Sequence, residues 1–302
     1  MSTLPPGSPF GEFPQRAGCW QLRTRTLDLP RQPLVMGILN VTPDSFSDGG
    51  RFFDPRAAID AGLALAAAGA DLLDVGGEST RPYAQPVSEA EELRRVLPIV
   101  QALAERLHVP VSIDTSKAAV AREALAAGAE IINDITALAG DPEMLPLAAA
   151  SRCGVCAMHM QGTPQTMQDA PHYDDVVAEV FAWLAARRDA CLAAGIEPRR
   201  LALDPGIGFG KTHGHNLKLL AGAWRFHALA CPLVVGHSRK GFIGKVLGDK
   251  HADRTAGTIG VSISLALQGV QILRVHDVLA VRQALDLFAA SGGLTGQASE
   301  LP

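Results

Sequence analysis

The sequence has no surplus of one charge. Its 27 Lys and Arg against 31 Asp and Glu leave a formal net charge of −4 over 302 residues, too little to draw the whole chain to nucleic acid or to an anionic membrane. Any basic chemistry is therefore local. A cysteine framework is also missing: Cys19, Cys153, Cys156, Cys191 and Cys231 are odd in number and irregularly spaced, which fits reduced thiols in the cytosol better than a stapled domain. The opening MSTLPPGSPFGEFPQRAG has no basic flank followed by an apolar stretch, so neither a signal peptide nor an anchor is expected. The apolar window 256–273 is broken by Thr258, Ser262, Ser264, Gln268 and Gln271 and suits a buried helix followed by a strand rather than a membrane span.

Two nucleotide signatures fail at single positions. PGIGFGKT ends like a Walker loop, but Pro205 stands five residues before Gly210. The dinucleotide pattern begun by Gly206 and Gly208 meets Lys211 at its third glycine. Cys153 and Cys156 lie three apart on an apolar run, which turns them to opposite faces of a strand and makes a redox pair unfavourable. His213 and His215 have no third ligand nearby, so they do not read as a metal site.

What the chain does have is a repeated grammar. Short apolar runs near 34–39, 71–76, 110–114, 130–133, 154–158, 201–204, 232–236 and 271–274 each end in polar groups and are separated by helix-like segments. That is the pattern of an α/β fold, a (β/α)8 TIM barrel, in which polar residues at strand C-termini collect on one rim. With 47% hydrophobic residues, one barrel of about 250 residues accounts for the chain as a single domain, 21–295. An N-terminal extension, residues 1–20, reads as flexible, 21–29 as a strand or hairpin closing the barrel bottom, and 296–302 as a tail. Helix starts are expected at Asp54-Pro55, at Ser88 with Glu91 as a capping box, at Asp141-Pro142 and at Asp277. Long polar loops at 40–53, 77–87 and 160–171 emerge on the rim as lids over a substrate.

Two kinds of group meet on that rim. Asp114, Asn133 and Asp204, with Asp74 beside them, are buried acceptors that need hydrogen-bond donors. Arg81, Ser238, Arg239, Lys240, Arg274 and His276, with Asn40 and the glycine-rich turn nearby, suit phosphate oxygens. One part of the site thus wants a flat, donor-rich heterocycle and another a phosphate or diphosphate. Each residue also has a plainer reading: Asp114 as a cap of the third helix, His276 as packing, Lys240 as a solvated lysine. Convergence after nearly every strand favours the functional one.

The stretches GILNVTPDSFSDGG, DLLDVGGESTRP, VSIDTSKAAVAREAL, IINDI, MHMQGTPQTMQ, LDPGIGFGK, HSRKGFIG and RVHDV occur in order from about residue 34 to 290 and resemble the bacterial dihydropteroate synthases. The resemblance implies a cytoplasmic, homodimeric transferase of folate biosynthesis. It would condense 6-hydroxymethyl-7,8-dihydropterin diphosphate with p-aminobenzoate, with Mg²⁺, at a sulfonamide-sensitive site. It implies that Asp114, Asn133, Met158, Asp204, Phe209 and Lys240 hold the pterin, and that Asn40, Thr80, Arg81, Ser238, Arg274 and His276 surround diphosphate and p-aminobenzoate. Asn40 would be the metal ligand, and Asp114, Lys240, Arg274 and His276 the catalytic set. The first two rim loops would build the aniline pocket only after diphosphate has ordered them. Leu285 and Phe288 on the last helix would supply the dimer face. A pterin-binding methyltransferase module and a catalytically silent pterin binder are the alternatives. One departure stands out: Tyr83 follows Ser79-Thr80-Arg81-Pro82 where the family usually has glycine, and a tyrosine does not take positive φ cheaply.

Overall fold

The computed structural model describes residues 13–42, 54–81 and 83–299. Residues 1–12, 43–53, Pro82 and 300–302 lie outside it, and with them most of the expected lid at 40–53 and parts of the expected N-terminal segment and tail. Two short antiparallel strands, β1 (Cys19–Gln21) and β2 (Thr26–Asp28), precede the barrel. The barrel strands are β3 (Leu34–Asn40), β4 (Leu72–Gly76), β5 (Val111–Asp114), β6 (Ile131–Asp134), β7 (Gly154–Met158), β8 (Leu201–Asp204), β9 (Val234–Val235) and β10 (Ile272–Val275). They pair in parallel in the order β8-β7-β6-β5-β4-β3-β10-β9, and a parallel bridge from Leu203 to Leu233 closes the ring.

The helices alternate with these strands: α1 (Pro55–Ala67), α2 (Glu89–Arg106), α3 (Ala118–Ala126), α4 (Met144–Ser151), α5 (Val176–Ala193), α6 (His213–Ala221), α7 (Gly241–Leu247), α8 (Thr255–Leu267) and α9 (Val278–Ala290). None of the described helices is long and apolar enough to cross a membrane.

The period of two along each strand places the site. One set of positions, Val35, Leu73, Ile113, Ile132, Val155, Leu203, Val235 and Leu273, packs outward in a single core with the helices. The neighbouring set, Met36, Leu72, Ile131, Cys156, Ala202, Val234 and Ile272, forms a second apolar cluster inside the barrel. Two residues further on, still inward, the same strands present Ile38, Asp74, Asn133, Met158, Asp204, Gly236 and Arg274, and β5 presents Asp114. The interior is therefore apolar below and polar above.

The lower end is plugged by the hairpin. Trp20, Leu22 and Leu29 join the inner cluster, each contributing about 1.5–3 kcal/mol by leaving water, and the Trp20 indole N–H donates to the Arg200 carbonyl at 2.9 Å. Residues 13–20 are more tightly held than their composition suggests. Arg16 donates to the Gly269 carbonyl at 2.7 Å and the Leu29 carbonyl at 2.8 Å, and the Phe13 ring packs on His227 with centroids 5.0 Å apart.

Several expected caps have other partners. Asp54 does cap α1, accepting the Arg56 N–H at 2.8 Å. Ser88 accepts the Glu91 N–H, but the Glu91 carboxylate binds Arg94 at 2.7 Å and Arg95 at 2.8 Å rather than completing a capping box. Asp141 accepts N–H groups of both Glu143 and Ala118 and so serves α3 as well, while Asp277 turns to Arg239. On α9, Leu285 is fully buried in its own core and Phe288 packs partly against it. Leu285 therefore has no surface left for the expected dimer face, while Phe288 keeps part of its own.

Candidate active site

Arg274, projecting from β10, is the hub of the barrel mouth. Its Nε donates to Asp74 at 2.6 Å and its Nη2 to Asp114 at 2.8 Å, and the Asn133 amide donates to the same Asp74 oxygen at 3.0 Å. Four strands are thus joined by one buried network. Burial works against the guanidinium charge, but Asp74 and Asp114 more than offset it and raise Arg274 above its usual range. Asp114 is pushed up to about 7 by burial, against Arg274 and reinforced by Asp74, Asp134 and Glu92. Its reading as a helix cap is excluded, since the first N–H of α3, that of Ala118, goes to Asp141 instead.

Across the mouth, Asp204 ends β8. The Gly206 N–H donates to its Oδ1 at 2.6 Å, which the chain achieves only with glycine: φ is +70° and a Cβ there would run into the His159 carbonyl. Burial raises Asp204 to about 6, opposed by that N–H and by Arg274, Lys240 and Lys211. Gly236 leaves the floor between Asp204 and Arg274 open, a Cβ there lying 3.8 Å from each side chain. Lys240 is no solvated lysine. Its Nζ sits 4.3 Å from the Phe209 ring centroid, a cation–π contact, and burial, then Arg274, lowers it to about 8. On the same inward face Met158 is buried on β7 beside Asp204, and Asn133 and Asp114 continue this polar edge on the next strands.

The anion-friendly side lies at the ends of β9, β10 and β4. The Ser238 hydroxyl accepts the His276 backbone N–H at 3.2 Å and lies 3.2 Å from His276 Nδ1. The hydroxyl can donate to Nδ1 or accept from it, and in either case it holds the imidazole ring in place. Burial, then Arg274 and Arg239, lowers His276 to about 4, so it is neutral at physiological pH. Thr80 and Arg81 follow β4, with Arg81 exposed and near enough to contribute to the lowering of Lys240. Asn40 ends β3, half-buried. A cavity of about 620 Å³ touches Asn40 and His276 but descends between α1 and α9 along Ala61, Ala64 and Val278, an apolar crevice behind the polar mouth.

Sequence reasoning passed over several residues here. Asp74, absent from the roles that the resemblance assigns, binds both Arg274 and Asn133. Lys211, seen as the end of a failed Walker loop, is 2% exposed. Its Nζ lies 2.9 Å from His159 Nδ1 and donates to the Phe209 carbonyl at 2.9 Å, so it ties the β7 and β8 loops together. Burial lowers Lys211 to about 7 and His159 to about 3. The available signal was position, since Lys211 stands two residues after Phe209 in the same loop. Cys153 and Cys156 do face opposite sides, one in the outer core and one inside the barrel. His215 completes a capping box with Thr212 on α6.

Comparison with known proteins gives one consistent answer. The family described as pterin binding enzymes matches residues 36–276. A dihydropteroate synthase of Escherichia coli K12 is 49% identical over 266 residues, covering 88% of this chain and 94% of its own. A solved dihydropteroate synthase of Xanthomonas albilineans with 4-aminobenzoic acid superposes with a TM-score of 0.84 at 47% identity, covering 91% of this chain and 98% of its own. The same enzyme in complex with 7,8-dihydropteroate gives 0.80 at 45% identity, covering 90% and 98%.

Proposed function

The chain belongs to the pterin-binding enzymes and, within them, to the dihydropteroate synthases, and we propose that the barrel mouth performs that reaction with the residues described above. It is a transferase that joins 6-hydroxymethyl-7,8-dihydropterin diphosphate to p-aminobenzoate, releasing pyrophosphate and giving 7,8-dihydropteroate in folate biosynthesis. The observation that carries the assignment of residues is the division of the mouth into acceptors at Asp204, Asn133 and Asp114 and donors at Arg274, Lys240, His276 and Arg81.

The 2-amino and ring N–H donors of a pterin match the free Asp204 oxygen, and Asn133 and Asp114 take up the remaining edge. Phe209, Met158 and the Lys240 stem close on the ring faces, and the Lys240 ammonium reaches the ring's polar atoms. Arg274 is fixed by two carboxylates, so it meets the diphosphate already oriented and needs no reorganisation as charge builds on the leaving group. His276 adds a neutral N–H donor, and Thr80, Arg81 and Ser238 flank diphosphate and p-aminobenzoate. The bond between the pterin methylene and the diphosphate oxygen breaks, its electron pair leaving with pyrophosphate. The electron-rich ring and Asp114 stabilise the resulting cationic methylene. The aniline lone pair then forms the new C–N bond, and the nitrogen releases its proton to solvent.

Mg²⁺ belongs to the same proposal. Among the described residues no cluster of His, Cys, Asp or Glu is built to hold a metal alone. Asn40 offers a single hard amide oxygen beside His276, a donor set that fits Mg²⁺ when substrate phosphate oxygens and water complete the octahedron. When bound there, the cation would neutralise diphosphate charge. A sulfonamide, which shares the aryl-amine outline of p-aminobenzoate, would compete for its pocket. We propose a homodimer whose contact uses the exposed apolar residues Leu217 on α6, Val246 and Leu247 on α7, and Leu279 and Leu287 on α9. Reduced, unpaired cysteines support a cytoplasmic location.

The test is product formation. Purified protein with the pterin diphosphate, p-aminobenzoate and Mg²⁺ should release dihydropteroate and pyrophosphate in equal amounts. Calorimetrically measurable binding of the diphosphate without either product would assign the chain to pterin binding alone.

A further inference from the structure

The loop between β4 and α2 is fastened at its root and at its tip, and the tip fastening depends on Tyr83, held at positive φ. At the root, Glu78 accepts the Val87 N–H at 3.3 Å across the loop and pairs with Lys117, which also holds the fully buried Glu92 at 2.5 Å. At the tip, the Tyr83 backbone N–H donates to the Pro164 carbonyl at 3.1 Å, and its hydroxyl donates to Asp169 at 3.1 Å. Gln165 reaches the Ala84 carbonyl at 3.4 Å alongside. Both partners of Tyr83 lie in the loop that follows β7. That loop is in turn bound to the pterin side, because the Gln168 amide donates to the Gly208 carbonyl at 2.9 Å, one residue before Phe209.

Tyr83 makes these contacts at φ +63° while its side chain is 62% exposed. A left-handed conformation is unfavourable for a bulky L-residue. Neither core packing nor backbone preference therefore explains a tyrosine there. What it adds is a cross-loop hydrogen bond that glycine cannot make.

We propose that Tyr83 is a positioning residue for p-aminobenzoate: through Asp169 and Pro164 it latches the β4–α2 loop, which carries Thr80 and Arg81, to the β7–α5 loop. The functional part rests on the dihydropteroate synthase reading of the site; the latch itself does not.

The experiment compares wild type with Tyr83→Gly, Tyr83→Phe, Asp169→Ala and the Tyr83→Phe/Asp169→Ala double variant, by hydrogen exchange of protein alone and by steady-state kinetics. Tyr83→Gly relieves the backbone strain, so its Tm stays level or rises, yet amides of residues 78–87 exchange faster. KM for p-aminobenzoate rises by about threefold to tenfold, the worth of one exposed hydrogen bond, while KM for the pterin diphosphate is unchanged. Tyr83→Phe and Asp169→Ala each reproduce the KM effect, and the double variant is no worse than either alone. A merely structural role would instead lower Tm and move both KM values together. The latch is refuted by equal exchange across 78–87 in wild type and Tyr83→Gly, or by additive effects in the double variant. The exchange readout needs no turnover, so it judges the latch separately from the reaction.

Discussion

Arg274 Nε donates to Asp74 at 2.6 Å, and Asp74 is fully buried and 200 residues away in sequence. The pair fixes the leaving-group guanidinium from inside the barrel, while Asp114 holds its other edge. Asp74→Asn keeps the shape of this contact but removes the charge. It should lower kcat/KM for the pterin diphosphate by roughly tenfold to a hundredfold, the worth of one charged hydrogen bond. KM for p-aminobenzoate, bound further from Asp74, should be little changed.

Asp204 gives a pH dependence with a defined sign. It must be ionised to accept two pterin N–H groups, and burial raises it to about 6. In the free enzyme, kcat/KM for the pterin diphosphate should fall as pH drops through about 6, by about tenfold per unit below it, and Asp204→Asn should lack that limb. The stability contribution runs the other way. Between an unfolded value of about 4 and the folded value of about 6, the folded carboxyl binds more protons than the unfolded one. Its contribution is therefore fully present below about 4 and lost as pH rises through about 6.

The hairpin plug predicts a stability effect without a site effect. Trp20 is wholly buried at the lower end of the barrel, and Trp20→Ala should cost about 3–5 kcal/mol, lowering Tm by roughly 5–8 °C. At temperatures where the variant remains folded its KM values should match wild type. A selective rise in KM for the pterin diphosphate would show that the plug also shapes the mouth.

Asn40 is the proposed protein ligand for Mg²⁺. Asn40→Ala should raise the Mg²⁺ concentration needed for half-maximal turnover while leaving binding of a pterin that lacks the diphosphate unaffected. An unchanged Mg²⁺ titration would remove Asn40 from that role.

The barrel and its rim were readable because both rest on local pattern. Apolar runs of strand length ending in Asp114, Asn133 or Asp204 are visible one segment at a time, and period two turns them inward without knowledge of their neighbours. What was not readable is pairing. Arg274 and His276 suggest a phosphate site by type, but only the folded chain shows that Arg274 is tethered by Asp74 and that Ser238 orients His276. Asp141 and Asp277 illustrate the converse: a carboxylate before a helix looks the same in sequence whether it caps that helix, binds the next one, or meets Arg239. Leu285 and Phe288 fit an apolar helix face, but the chain's own core takes all of Leu285 and part of Phe288. Tyr83 was legible as a departure and its positive φ as a requirement, while its partners Pro164 and Asp169 lie some eighty residues away.

The central claim is that the polar end of the barrel interior recognises the pterin edge through Asp204, and direct binding tests it most simply. The measurement is a calorimetric titration of 6-hydroxymethyl-7,8-dihydropterin diphosphate into wild type and Asp204→Asn at a pH well above 6, with Tm recorded for both. Exchanging one acceptor oxygen for an amide that presents donors to donors should weaken Kd by roughly a hundredfold with Tm maintained. Equal affinity in the two proteins would contradict the account.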